Sequence, residues 1–548
     1  MGYTPCVDML KKVRRILRDM TPEDWFIAFF GASFFIGVWY ALPMVNTITD
    51  VWAFGGGVLR AMEAHSLVPG YGVAYGTLSF YQNYVAMAIA LGFGLLLFGF
   101  DVAALKTALI LNPSYSLVVP RVVSALTAIV FLAVVYRFLK VHVPSAGWRL
   151  ALIMLAFGNV LTVLLTRSGK MWMLSIGLGI VSFIYLYRAI TEEAKTGLPG
   201  RLSAISVLTA FLATANFPFA AIFLVNIPIL LYMLPRTYQS VLRLWYMITA
   251  GVALFLAVFA LNAANTIEQV SGFIMQFFDS AAGSVVNAQE ALTPLESFIV
   301  NTRQAIEAFP LLLLALIPAL RSGIRDKTLM YLSLIYIVIY ILAVSVIFRS
   351  DDGLALNVRH IFPLCFFLMF FLASFKTPAR SVAIVFFVAG LLVYIYAVML
   401  LSIPTTYNAA ADFIASRYGD QEIRIDENIF ELTLPMNKAS YALFATSSCG
   451  STCQHMQTLP TDIAFRPLIV TKESDPAAVA QLPSPDLIVV ERAIEGCVPM
   501  ARFGNKTRDD EVYDIDINLG RMLLPSFYRL ASLGKNIYIY DAKGCAGS

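Results

Sequence analysis

The chain is organised around apolar runs long enough to cross a bilayer, and nothing else in it limits the fold as strongly. A hydrocarbon core about 30 Å thick is crossed by roughly 17 to 25 residues of helix, and inside it every backbone polar group must be satisfied by the protein itself. Runs that meet or approach this length lie at 25–43, 120–136, 147–165, 171–187, 202–215, 219–234, 244–262, 306–320, 328–347, 361–375 and 381–402, with one more at 84–100. Hydrophobic residues are 59% of the 548 and charged residues 14%, well below the charged share of about 25% in soluble domains. A soluble globular protein is therefore excluded. The 39 basic and 35 acidic residues nearly cancel, and the basic ones are spread over short loops, so nucleic acid is not an expected partner.

Loop charge sets the expected topology, because Lys and Arg favour the cytoplasmic side of short loops. If 84–100 does not cross, then the N-terminal cluster, Arg137/Lys140/Arg149, Arg188/Lys195/Arg201, Arg236/Arg243, Arg321/Arg325/Lys327 and Lys376/Arg380 all fall on the inner side. If it does cross, every later basic loop moves outside. The expectation is eleven spans with a cytoplasmic N-terminus (1–24), a transmembrane domain (25–402), and a large first outer loop (44–119) in which 84–100 lies along or dips into the surface. Lys11, Lys12, Arg14, Arg15 and Arg18 precede the first run with no small-residue cleavage site near its end, so that span is expected to be retained. Thr21-Pro22-Glu23-Asp24 reads as its helix start, with Thr as cap and Pro at the first helical position.

Beyond Pro404 the apolar density falls, and residues 403–548 have the composition of a globular extracytoplasmic domain. Asp486–Glu491 and Asn536–Asp541 have strand patterns and Tyr407–Tyr418 has helical spacing, which predicts a small α/β domain. Four of the six cysteines, Cys449, Cys453, Cys497 and Cys545, fall here, and in an oxidising compartment they are candidates for two disulfides with open connectivity. Each bridge would add roughly 2 to 4 kcal/mol. Cys449, Cys453 and His455 could begin a metal site, but no second ligand pair accompanies them. Asn505-Lys-Thr507 fits a glycosylation acceptor pattern.

Ionisable groups at span ends are costly and are default functional candidates. Asp50 stands where the first span emerges, followed by Arg60, Glu63 and His65 on an amphipathic stretch; the plain alternative is that Asp50 caps that helix. A Gly- and aromatic-rich segment with Tyr75 and Tyr81 leads into the 84–100 run. Arg121, Arg167, Lys170 and the Arg359-His360 pair sit on the outer side, which positive charge ordinarily avoids. Snorkelling to head groups explains any one of them, whereas the set suits a shared anionic ligand such as a lipid-linked phosphate.

Taken in order, the acid after the first span, Tyr75-Gly-Thr-Leu-Ser-Phe-Tyr81, Pro120-Arg121-Val-Val-Ser124-Ala125, Thr166-Arg-Ser-Gly-Lys170 and Arg359-His-Ile-Phe-Pro-Leu364 resemble the GT-C membrane glycosyltransferases. The chain is most similar to bacterial relatives of the protein O-mannosyltransferases and of the lipid A aminoarabinose transferase. The resemblance implies an all-α polytopic GT-C-like domain in the plasma (inner) membrane, with interfacial helices in the first outer loop and an extracytoplasmic α/β domain. It also implies transfer of a hexose or pentose from a polyprenyl-phosphate donor to a glycan, lipid or protein acceptor at the outer face. Asp50 matches the position that acts on the acceptor nucleophile. Lys170, Arg167, Arg121, Arg359 and His360 become candidates for the donor phosphate, and Glu63, His65, Tyr75 and Tyr81 for the acceptor or sugar pocket. Two departures from the family pattern stand out: Val51 follows Asp50 where many relatives have a second acid, and Arg167 and Lys170 occupy a loop where many carry an acid. No cofactor is expected, and a divalent metal is disfavoured.

A transporter or flippase for a lipid-linked saccharide, or a non-catalytic scaffold of the same fold, is the competing reading. Transport would be favoured by internal repeats and broken helices at the midplane, and neither is legible in the sequence. A topology reporter fused after Asn112 is expected to report an extracytoplasmic position; a cytoplasmic signal would reverse the side of every later loop.

Overall fold

The computed structural model describes residues 19–42, 51–68, 76–111, 114–193, 198–233, 237–261, 267, 293–347 and 359–417. In the C-terminal region it describes 423–426, 468–471, 487–490, 493–494, 496–504, 533–534 and 536–541. The protein is mostly helical, with a small sheet near the C-terminus. Among the described residues six helices are long and apolar enough to cross a membrane: Thr77–Leu97, Ser114–His142, Trp172–Glu193, Tyr238–Ala260, Lys327–Ser345 and Arg380–Ile414. Two bent pairs, Ala146–Phe157 with Val160–Thr166 (66°) and Pro294–Ala308 with Pro310–Ser322 (83°), bring the total to eight if each is one span.

Several expected spans take shorter or less regular forms. Arg201–Asn216 has 16 residues, about 24 Å at 1.5 Å per residue, less than a full hydrocarbon core. The run at 219–234 is a 3-10 segment, Pro218–Val225, followed by the helix Asn226–Met233. That at 361–375 is a 3-10 turn, Arg359–Ile361, and the helix Leu364–Ala373. The first span begins as the helix Pro22–Ala32, passes into a 3-10 turn at Ser33–Phe35, and continues as turns to Leu42.

The bends correct the expectation of unbroken helices. At the first, Gly158 N donates to Met154 O at 2.8 Å. Asn159 Nδ2 donates to the carbonyls of Leu155 (3.3 Å) and Ala156 (2.6 Å), and its Oδ1 accepts from Thr162 N at 2.9 Å. One amide thus closes the end of one helix and caps the next. At the second bend Phe309 ends one helix and Pro310 takes the first turn of the next, where its missing N–H costs nothing. Both bends sit in apolar sequence without charge, so hydropathy alone does not reveal them.

The alternating basic loops meet at one end of the bundle. Thr21 and Asp24 form the predicted capping box, with Pro22 at the first helical position. Glu23 binds Arg149 through both carboxylate oxygens, while Asp24 accepts from Lys140 at 2.7 Å and from the Tyr136 hydroxyl at 2.6 Å. Burial raises the pKa of the Asp24 carboxyl, but the hydrogen bonds from Lys140, Thr21 and Tyr136 outweigh it and leave the group below the usual carboxylate range. Tyr187 donates to Asp326 at the same end, and the amides of Arg325 and Asp326 both reach Ser374 O at 2.9 Å.

Deeper in the bundle, neutral polar groups join helices that apolar contact alone would not orient. Asn226 Nδ2 donates to Ser182 Oγ (2.5 Å) and Ser206 Oγ (2.8 Å), and Tyr336 donates to Asn226 Oδ1. Such bonds are the common glue between membrane helices. Pro294–Ala308 is inside-out relative to a soluble helix: Ser297, Asn301 and Gln304 are buried, while Leu295, Ile299 and Ile306 are exposed.

The C-terminal sheet has the order β2-β1-β3-β5-β4, with β1 Ile423–Asp426, β2 Leu468–Thr471, β3 Leu487–Val490, β4 Ala501–Phe503 and β5 Ile537–Asp541. β1 runs parallel to β2 and β3, and β5 antiparallel to β3 and β4. β3, β5 and the helix Thr406–Arg417 match the expected elements. That helix is joined to the sheet region by Thr406 N donating to Leu533 O (2.9 Å), and to the bundle by Asn408 Nδ2 donating to Leu42 O (2.8 Å).

Glu23→Ala should lower the thermal midpoint in detergent by an amount equivalent to about 3 kcal/mol, because it leaves the Arg149 charge buried without its partner. Lys140→Ala, at a lysine whose side chain is 43% exposed, should cost less than about 1 kcal/mol. Equal effects would mean that the Glu23–Arg149 pair is as well hydrated as the exposed one.

Candidate functional site

At the end of the bundle opposite the Glu23–Arg149 pair, the chain turns sharply between the helices Val160–Thr166 and Trp172–Arg188. Ser168 Oγ donates to Leu165 O at 2.9 Å and accepts from Lys170 N at 3.3 Å, tightening the turn. Gly169 has φ +72°, and a Cβ there would lie 3.1 Å from Arg121 N and 3.1 Å from Pro120 Cβ. Glycine lets this turn press directly onto Pro120–Arg121.

The three outer cations of these two segments have different surroundings. Arg167 is consumed by the protein: Nε donates to Ile36 O (2.5 Å), Nη1 to Val163 O (3.0 Å), and Nη2 to Ser33 O (3.0 Å) and the Tyr394 hydroxyl (3.3 Å). Its expected part in holding a donor phosphate is therefore replaced by a clamp on the irregular end of the first span. Arg121 also holds that stretch, with Nη1 donating to Val38 O (3.1 Å) and Tyr40 O (2.5 Å). It is fully buried, and its Nε and Nη2 have no hydrogen-bond partner. Lys170, 5% exposed, lines a cavity of about 200 Å³.

That cavity lies between three elements. The Thr77–Leu97 helix contributes Ser79, Gln82 and Asn83, the Ser114–His142 helix contributes Ser124 and Thr127, and the turn brings Gly169 and Lys170. Its position is set by Asn216, which accepts from Ser79 N (2.9 Å) and donates to Ser79 Oγ (3.1 Å) and Ser175 Oγ (2.7 Å). Gly76 N also donates to Asn216 O at 2.6 Å. The start of the Thr77–Leu97 helix is thereby fixed to two other helices.

His360 is buried with its ring edge-on to Trp172, centroids 5.3 Å apart, and its carbonyl accepts from Tyr340 at 2.5 Å. Trp172, two residues after Lys170, thus connects the turn to the Arg359–Ile361 segment. The side chain of Arg359 lies outside the described residues, as do Asp50, Tyr75, Cys449, Cys453, Cys545 and Asn505. Cys497 is disulfide-bonded. The helix that follows Asp50, Val51–Glu63, packs Phe54 on Gly76 and Gly55 on Ser116 and Pro120, so its first turn abuts the elements that bound the cavity.

Three expected pocket residues are not brought to the cavity. Glu63 pairs with Lys106 at 3.1 Å, at the far end of a 13-residue helix, roughly 18 Å from its start. His65 follows with φ 50° and is exposed. Tyr81 donates to Leu67 O at 2.7 Å. A shared loop in sequence did not mean a shared place, because a rigid helix separates Glu63 and His65 from Asp50. Among the described residues no three His, Cys, Asp or Glu side chains are grouped to hold a metal ion.

Ser79, Asn83, Ser124, Thr127 and Asn216 were missed from sequence. A signal did exist: Ser79 and Asn83 are four apart, and Ser124 and Thr127 three apart, in otherwise apolar helices, spacings that put each pair on one helix face.

Arg167→Lys should destabilise the protein by about 2 kcal/mol, since a lysine cannot reach the acceptors that the guanidinium fork spans. Amide exchange over residues 36–42 should accelerate in parallel. A phosphate-binding role for Arg167 predicts neither effect in ligand-free protein. Comparison of this chain with protein-family models, with curated proteins and with solved structures finds no match.

Proposed function

We propose that this protein is a membrane glycosyltransferase that moves a sugar from a polyprenyl-phosphate donor to a glycan, lipid or protein acceptor at the extracytoplasmic face of the inner membrane. The observation that carries this reading is a buried lysine on the wall of an otherwise neutral, hydroxyl- and amide-lined cavity, at the end of the bundle away from the basic loops. A buried ammonium is costly unless it meets negative charge, and a departing lipid phosphate supplies that charge. Arg121, with two donors unassigned beside Gly169, is the second cation of the site.

In the reaction, Asp50 accepts the proton of the acceptor hydroxyl as its oxygen attacks the anomeric carbon. The bond from that carbon to the phosphate oxygen breaks, and the polyprenyl phosphate leaves with the bonding pair. Lys170 offsets the charge that develops on the leaving group. Asp50 immediately precedes the helix whose Phe54 and Gly55 pack against Gly76 and Pro120, which brings the acid's position in the chain close to the cavity.

The same reading includes a GT-C-like arrangement of eleven crossings, with the N-terminus cytoplasmic and the C-terminal domain outside. Support for leaving 84–100 uncrossed comes from the Thr77–Leu97 helix. Its first turns adjoin Ser124 and Thr127, whereas Phe80 and Met87 cluster with Val58 and Val119. It therefore runs toward the N-terminal end of Ser114–His142, away from the basic end. A carrier of lipid-linked saccharides is the second reading, favoured by the two helix bends, whose residues Gly158, Asn159, Phe309 and Pro310 line one cavity of about 400 Å³.

The test uses purified protein in nanodiscs with a labelled polyprenyl-phosphate sugar, following sugar transfer and release of polyprenyl phosphate. Asp50→Asn should reduce turnover by roughly 10² to 10⁴ while donor binding survives. Lys170→Ala, and Arg359→Ala if that arginine also meets the phosphate, should weaken donor binding. Unchanged turnover in Asp50→Asn would assign Asp50 to capping its helix. Movement of intact donor across a liposome without transfer would favour the carrier.

A further inference from the structure

The cavity beside Lys170 has a chemistry that selects among sugars. On the Thr77–Leu97 helix, Asn83 is 2% exposed and its Oδ1 has no hydrogen-bond partner. One turn earlier, Ser79 Oγ accepts from Asn216 Nδ2 at 3.1 Å and so retains its own proton to donate. Across the cavity, Thr127 Oγ1 spends its proton on Val123 O (2.8 Å) and Ser124 Oγ points its own toward Leu165 O (3.5 Å); both oxygens keep lone pairs to accept. The wall therefore mixes acceptors with a donor, the complement of a ring bearing several hydroxyls, each of which both donates and accepts. Among the described residues Lys170 is the one charged group lining it, and no carboxylate does.

We infer that this cavity takes an uncharged sugar, with Asn83 accepting a hydrogen bond from one of its hydroxyls, and that it discriminates against a cationic amino sugar. The inference rests on the glycosyltransferase reading for its donor and adds the class of sugar and the residue that specifies it. An unmet buried acceptor is an energetic deficit that a ligand hydroxyl removes. An ammonium on the sugar would instead meet Lys170 across a small cavity with no anion on the wall to offset it.

Binding of three probes to the full-length protein in nanodiscs tests this: polyprenyl phosphate alone, polyprenyl phosphate carrying a neutral hexose, and polyprenyl phosphate carrying an amino pentose. The neutral glycolipid should bind about tenfold more tightly than the bare lipid phosphate, and the amino-sugar lipid no more tightly than the bare one. Asn83→Leu should erase the neutral-sugar margin and leave affinity for bare polyprenyl phosphate unchanged. Asn83→Asp, which keeps the shape and adds the missing carboxylate, should move preference toward the amino sugar and provides the test if Asn83→Leu does not fold. Retention of the margin in Asn83→Leu, a wild-type preference for the amino sugar, or absence of any margin would each overturn the inference while leaving the lipid-phosphate reading intact. Failure of the wild type to bind any of the three lipids would remove the glycosyltransferase reading and this inference with it.

Discussion

Two buried arginines make the outer end of this bundle possible. Between Ser33 and Leu42 the first span is a 3-10 turn and a series of turns, not an α-helix, and such backbone leaves carbonyls unpaired. At membrane depth unpaired carbonyls are tolerated where protein covers them. Arg167 reaches Ser33 and Ile36, and Arg121 reaches Val38 and Tyr40, so four carbonyls of this stretch are met by guanidinium groups from two other helices. The positive charge that looks misplaced on this side of the sequence is used first to hold irregular backbone. What remains for a ligand is Lys170 and the unassigned edge of Arg121.

Fixing that stretch has consequences for the neighbouring elements. The turn carrying Arg167 also carries Gly169 and Lys170, so the clamp on the first span and the cavity wall share one short segment. Gly169 presses on Pro120–Arg121, which couples the two arginines mechanically. On the other side, Asn216 pins the start of the Thr77–Leu97 helix through Ser79. A small polar cavity keeps its shape because each wall is held by hydrogen bonds made away from it.

The opposite end is organised by ion pairs and the middle by neutral amides and hydroxyls. This division follows from solvation: charged pairs such as Glu23–Arg149 are least costly near water, whereas Asn226 with Ser182, Ser206 and Tyr336 satisfies every partner without a net charge. The bend at Gly158 obeys the same rule, since Asn159 supplies both the acceptor and the donors that the interrupted helix lacks.

Composition and local pattern determined the membrane-embedded helical class, the capping box at Thr21–Asp24, the meeting of the basic loops at one end, and the positions of β3, β5 and the helix Thr406–Arg417. Each of these depends on residues close in sequence or on a charge rule that needs no coordinates. Tertiary structure alone decided which cation holds backbone and which faces a cavity, because that depends on where distant acceptors come to rest. Arg167 meets Tyr394 across 227 positions, and Asn216 meets Ser79 across 137. It also decided where helices bend, since Gly158 and Pro310 are tolerated within apolar runs until packing makes a bend the lower-energy path. Glu63 was separated from the Asp50 position for a related reason: sequence fixes how many residues lie between two groups, and the conformation of those residues fixes the distance.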